Sequence, residues 1–149
     1  MIELYTWSTP NGRKISIALE EMGLAYAVHP VNIGKDEPFR PALLKISPNN
    51  KIPAIVDRDT GDSGSASGAL LMYLGDKTGR FYPAETKVRI RVHEWLMWQM
   101  SAVGPMLGRA HYFLKYNAGK APFAEAWFSA EAKRIYGVLN RLLGEHEFM

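Results

Sequence analysis

Over residues 1–79 the apolar pattern switches repeatedly between short β-branched runs and helical stripes, and this alternation constrains the fold more than any other feature. "IELYT" (2–6) reads as a buried strand. After "STPNG", the residues Ile15, Ala18, Leu19 and Met22 fall at helical spacing and predict a helix from about Gly12 to Met22, with Gly23 as its C-cap. "YAVHPVNI" (26–33) predicts a second strand, and Pro30 marks it as an exposed or irregular edge. A polar loop, "GKDEPF", leads to a short helix around 39–46. "NNKIPAIVD" (49–57) predicts a third strand after a turn, and "ALLMYLGDKTG" a helix closed by Gly79. Between them, Gly- and Ser-rich "RDTGDSGSASG" (58–68) predicts a flexible connection. The order β-α-β-α-β-loop-α is that of an α/β layer.

"RFYPAE" (80–85) reads as a linker, and beyond it no strand pattern occurs. One helical stretch covers about 84–116, with Gly104-Pro105 predicting a kink inside it. Its segment "HEWLMWQMSAVGPMLGRAHYF" is apolar almost all round, which predicts burial on several sides and a core role for Trp95, Met97, Trp98 and Met100. A second helix covers about 122–143, with Phe128, Ala132, Ile135, Leu139 and Leu142 on one face. Arg134 and Tyr136 read equally as cleft-lining or as an exposed face. The chain has no internal repeat.

Composition removes whole classes of chemistry. With no cysteine in 149 residues, disulfide scaffolds, thiolate metal sites and a cysteine nucleophile are excluded, so redox chemistry would need a thiol carried in by a ligand. His29, His93, His111 and His146 have neither HxxxH nor HExxH spacing, so no metal is expected. The glycines match neither a Walker A loop nor GxGxxG, which argues against a nucleotide site. A net charge of +3 without a Lys/Arg stripe disfavours nucleic acid and suits a basic pocket for a small anion. No apolar run nears the roughly 18 residues of a membrane span, and no leader pattern opens the chain, so no membrane partner and a cytoplasmic location are expected.

The "STPNG" turn poses the chemical question. A helix start presents unpaired N–H groups and the positive end of the dipole, and so favours an anion. Thr9 can donate its hydroxyl hydrogen and Asn11 its amide hydrogens, a set that would favour a bound thiolate over a thiol. The competing reading is structural: Thr9 or Asn11 caps the helix while Pro10 and Gly12 shape the turn.

Four segments together, "YTWSTPNGRKISIALEE", "ISPNNKIPAIVD", "SGALLMYLGDKTG" and "WLMWQMSAVGPMLG", resemble the glutathione S-transferases. The nearest group is the bacterial nu-class, disulfide-reducing branch, related to the fungal nitrogen-regulator homologues. The resemblance implies a thioredoxin-like glutathione-binding domain over 1–79, a linker over 80–85 and an all-α domain over 86–149 that is incomplete relative to the family. It implies a homodimer with the long helices at the interface, and glutathione as co-substrate. By resemblance Thr9 and Asn11 are catalytic and contact the glutathione sulfur, while Tyr5, placed within the strand, reads as structural. Pro53 is implied to be cis, turning the Ile52 backbone toward the cysteinyl part of the ligand like an added strand. Lys51 is implied to meet the glycyl carboxylate, with a solvated surface lysine as its alternative. Ser67, at a helix start, is implied to hold the γ-glutamyl carboxylate.

The chain departs from the resembled pattern in places. Ala66 stands where relatives carry an acidic or Gln residue, and the loop before it is about five residues short, so a truncated fourth strand, a lost edge pairing and a mobile loop are expected. Pro38 stands where many relatives have Gln, and the chain stops at "GEHEFM" where they continue. The function expected is glutathione-dependent disulfide reduction or thiol transfer to a small disulfide or electrophile. The rival is a non-catalytic binding or regulatory module on the same fold.

Overall fold

The structure is a computed structural model that describes residues 1–35 and 41–149. Pro38, and the predicted loop and helix start around it, lie outside the described residues. The chain divides into two compact units, Met1–Glu85 and Thr86–Met149.

The first unit is an α/β layer of thioredoxin-like form. β1 (Ile2–Thr6) pairs in parallel with β2 (Tyr26–Pro30), and α1 (Pro10–Met22) makes the crossover between them. β3 (Ala54–Asp57) runs antiparallel to β1, and β4 (Ser63–Ser65) antiparallel to β3, giving the order β2-β1-β3-β4. Pro30 sits at the end of an edge strand, where its missing N–H costs the ladder nothing. Alternation along β1 sends Ile2 and Leu4 to the face packed by α1 and α3 (Ser67–Thr78), where they join Ile15, Leu19, Ile55, Leu70 and Leu74. Ile15, Ala18, Leu19 and Met22 are all buried, as their spacing requires, and each large apolar side chain so buried contributes about 1.5–3 kcal/mol. On the other face Tyr5 packs with Val31, Leu43 and Ala54 beneath α2 (Pro41–Ile46), stacks on His29 at 4.7 Å, and donates its hydroxyl to Glu3 at 3.3 Å. Gly23 ends α1 in the left-handed region at φ 69°, its N–H bonded to the Glu20 and Leu19 carbonyls.

The loop after β3 corrects the sequence expectation. Residues 58–62 form a hydrogen-bonded turn, and Ser63–Ser65 pairs with β3 in the register Ala54↔Ser65, Ile55↔Gly64, Val56↔Ser63. The sheet therefore keeps its fourth strand. The turn chemistry lies in "DRDTGD": Asp57 Oδ1 accepts the Asp59 N–H at 3.0 Å, the Gly61 N–H bonds the Asp57 carbonyl at 2.8 Å, and Gly61 adopts φ 81°. What the short strand does lack is side-chain bulk. A cleft of about 170 Å³ opens beside it, lined in part by Ile55, Gly64, Leu70 and Tyr73.

The 80–85 segment packs within the first unit, where Tyr82 is buried against Gly75; a Cβ on Gly75 would stand 2.5 Å from the Tyr82 Cβ.

The second unit is all helical among the described residues. α4 (Thr86–Trp98) and α5 (Gly104–His111) are joined by a π-helical turn, Gln99–Val103, and a second π turn, Tyr112–Tyr116, follows α5. At the position of the expected kink, Gly104-Pro105, the helix is irregular as a widened turn: the Gly104 N–H bonds the Gln99 carbonyl five residues back, just before the proline that has no N–H to offer. α6 (Pro122–Glu145) covers the predicted face, with Ile135 buried and Phe128 stacked on Phe113 at 5.3 Å. Burial of α4 is less than its composition implies. None of its residues is fully buried, Met97 is 48% exposed, and Trp95 and Trp98 meet edge to face at 5.4 Å while half-buried. Arg134 forks onto Glu131 at 2.6 and 2.8 Å, and Tyr136 is exposed.

Candidate functional site

Strand direction gathers the predicted residues at one end of the sheet. β1 leaves through Thr6 toward Thr9, β3 enters at Ala54 directly after Pro53, and β4 leaves at Ser65 toward Ser67. Tyr5 pairs with Ala54 and Ala54 with Ser65, so these two exits and one entrance lie side by side. α1 and α3 both start there, so two helix N-termini, each with a partial positive charge, serve the same edge.

At the first helix start, Thr9 is extended (φ −123°, ψ 160°) and its Oγ1 accepts the Gly12 N–H at 3.1 Å. The capping role is therefore real, yet it uses one oxygen lone pair and leaves the hydroxyl hydrogen for a further acceptor. The structural reading of Thr9 holds, and it leaves room for the other. The turn is tight: a Cβ on Gly12 would run into Thr6 Oγ1 and the Trp7 carbonyl, so no larger residue fits there. Asn11 is exposed one residue into the helix, and its Oδ1 accepts from Lys14 Nζ at 2.9 Å. Burial pushes the Lys14 ammonium below its ordinary value. Lys14 has no role singled out from the sequence, and its place beside Asn11 is visible only in the folded helix.

At the entrance to β3 the Ile52–Pro53 bond is cis, as the resemblance implies. Pro53 is fully buried, while Ile52 lies outside the paired register of β3. Lys51 is exposed, but its backbone is fixed: the buried Ser47 hydroxyl donates to the Lys51 carbonyl at 2.6 Å and accepts its N–H at 3.3 Å. Ser47 is a second residue that sequence reading passed over. It closes the "SPNNK" turn, in which Asn50 takes φ 58°.

At the start of α3, Ser67 is buried and Ala66 precedes it at φ 70°, ψ 114°, with no side-chain cap. A positive φ is costly for alanine, and here it sits directly beside the candidate carboxylate site. Ala66 offers no carboxylate, as its sequence position indicated.

The far end of β3 is locked to α3. Asp57 is fully buried and accepts from the Tyr73 hydroxyl at 2.6 Å and from Lys77 Nζ at 2.8 Å. Burial alone would raise its carboxyl; the Lys77 and Tyr73 hydrogen bonds and the Asp59 N–H outweigh that and hold it at about 2. The cleft beside β4 contains none of the predicted residues. Among the described residues no group of three or more His, Asp or Glu could hold a metal ion, and no helix is long and apolar enough to cross a membrane.

Comparison with known proteins agrees with this geometry. Residues 4–80 match the family described as glutathione S-transferase, N-terminal domain. The disulfide-bond oxidoreductase YfcG of Escherichia coli K12 is 47% identical over 148 residues, which is 96% of this chain and 69% of that protein. A glutathione transferase family member from Pseudomonas fluorescens, solved with two glutathione molecules bound, superposes with a TM-score of 0.92 at 42% identity, covering 98% of this chain and 67% of that one. A Pseudomonas putida glutathione transferase, solved with one glutathione disulfide per subunit, gives a TM-score of 0.92 at 39% identity, covering 99% and 67%.

Proposed function

The chain belongs to the glutathione S-transferase family, and we propose that it uses glutathione as a thiol co-substrate to reduce small disulfides. The observation that carries this reading is the α1 start, where Thr9 satisfies the cap and keeps a hydrogen to donate while Asn11 presents an amide beside it. Held by these donors at a helix N-terminus, the glutathione sulfur would be stabilised as thiolate. The thiolate attacks one sulfur of a disulfide RSSR, forming a glutathionyl mixed disulfide and releasing RS⁻, which takes up a proton. A second glutathione thiolate then attacks the mixed disulfide at the glutathionyl sulfur, giving glutathione disulfide and the second thiol. No protein cysteine is needed, which suits a chain that has none.

The remaining ligand groups have assigned partners in this reading. The Ile52 backbone, turned by cis Pro53, pairs with the cysteinyl part; Lys51 meets the glycyl carboxylate; Ser67 and the α3 N-terminus meet the γ-glutamyl carboxylate. Retention of the purified chain on immobilised glutathione, with glutathione-dependent reduction of a small dialkyl disulfide, tests the whole. Absence of both would overturn it.

Ala66 favours a second reading, a non-catalytic binding or regulatory module, because the ligand's ammonium has no carboxylate there. Calorimetric titration of the native chain beside Ala66→Glu separates the two. The enzyme reading expects measurable binding by the native chain and about tenfold tighter binding once the carboxylate is supplied. Failure of both proteins to bind glutathione would leave the module as the better account.

We also propose a homodimer through the helical unit, whose Phe123, Trp127 and Tyr112 are 84%, 52% and 53% exposed. Sedimentation equilibrium should then give twice the chain mass. A monomer at high concentration would contradict this.

A further inference from the structure

We propose that Lys14 is a positioning residue for the thiolate site: by donating from Nζ to Asn11 Oδ1 at 2.9 Å, it fixes the Asn11 amide with its two N–H donors turned away from the lysine and toward the ligand's sulfur. The inference rests on the thiolate-holding role proposed for Asn11. A carboxamide rotated by half a turn has nearly the same shape but exchanges donor for acceptor, and an acceptor facing a thiolate repels it. An exposed Asn on a first helical turn has nothing intrinsic to choose between the two orientations. Lysine resolves the choice because its ammonium has three donors and no acceptor, so it can pair only with the amide oxygen. Helical geometry brings the two together, since residues three apart lie on one face.

Two further observations separate Lys14 from an ordinary solvated lysine. It is half-buried, and no carboxylate pairs with it among the described residues. Its neighbour Arg13 shows the contrast: it is exposed and donates to Ser8 Oγ at 3.2 Å rather than to Asn11. Pairing with a cation also polarises the amide, which strengthens its N–H groups as donors.

The test uses the full chain and reads the titration of the bound glutathione thiol by thiolate ultraviolet absorbance, together with disulfide reductase turnover and affinity for S-methylglutathione, which has no thiol. Lys14→Met should raise the midpoint of the bound thiol by about half a unit to one unit and lower turnover by about three- to tenfold. Lys14→Arg should restore most of both, Arg13→Met should change the midpoint less than Lys14→Met, and affinity for S-methylglutathione should stay unchanged throughout. If Asn11→Ala moves the midpoint and Lys14→Met does not, the positioning role is wrong and the thiolate site stands. If neither moves it, the thiolate reading fails and this inference with it. If Lys14→Met weakens S-methylglutathione binding by the same factor as turnover, Lys14 is only structural and the proposal is overturned.

Discussion

Asn11→Ala is expected to lower glutathione-dependent disulfide turnover by about one to two orders of magnitude while leaving thermal stability close to native. The side chain is exposed, its bond to Lys14 is a single exposed contact, and it takes no part in the α1 cap, so the folded state loses little. On the proposed reading what is lost is a hydrogen bond to the glutathione thiolate, and such charge-assisted bonds are worth about 1.5–3 kcal/mol. Thr9→Ala should give a similar kinetic loss with an added penalty of about 0.5–2 kcal/mol in stability, because the same hydroxyl caps Gly12. Thr9→Ser keeps both the acceptor and the donor and should recover both properties. Asn11→Asp should fall below Asn11→Ala, since a carboxylate adds repulsion to the missing donor. Steady-state kinetics with a small disulfide, paired with urea denaturation of each variant, separates the two effects. Native turnover in Asn11→Ala and Thr9→Ala would remove both residues from the chemistry.

How far these features could be read in the sequence depended on how local their causes are. The α1 stripe was legible because helical spacing and burial are the same fact, and Ile15, Ala18, Leu19 and Met22 are all buried. The α6 face was legible for the same reason. β4 was not, because "SGS" has no apolar alternation; it is a strand through hydrogen bonds to β3 and a turn whose ties run from Asp57 and Gly61. At Gly104-Pro105 the sequence marked the place of the irregularity but not its hydrogen-bond form. The missing proline N–H was foreseeable, but that the turn before it widens depends on which carbonyl the preceding N–H finds. The cis bond at Pro53 came from family resemblance, as nothing in "NKIP" alone distinguishes it from a trans proline at a strand start. The strand-to-helix turn lay between these extremes. Its donors were visible, but that Thr9 caps the helix while keeping its hydroxyl hydrogen needed the Thr9–Gly12 geometry.

The Asp57 anchor was invisible for a stronger reason: its partners come from a helix that lies beyond the next strand. Asp57→Ala is expected to destabilise the chain by about 3–5 kcal/mol, the cost of leaving a buried charge network without one partner. Lys77 would keep Asp59 at 3.5 Å and Tyr73 would keep Thr60 at 3.1 Å, but both would lose their shorter bonds to the buried carboxylate and face a void in its place. Asp57→Asn keeps the volume but loses the charge, and should cost about 1.5–3 kcal/mol. The pH dependence follows from the lowered carboxyl. Its folded value is about 2 against an ordinary 3.8, so the unfolded chain takes up the proton first as acid is added. The stabilisation is fully present above 3.8 and is lost as pH falls toward and through about 2. Urea midpoints of the native chain should therefore drop across that window, and Asp57→Asn should lack this share of the drop. Because β3 carries Pro53 at its other end and α3 carries Ser67 at its start, loosening the anchor should also weaken glutathione binding in Asp57→Asn under conditions where the variant remains folded. Native midpoints and a native acid profile in both variants would show that the buried carboxylate contributes nothing to holding β3 against α3.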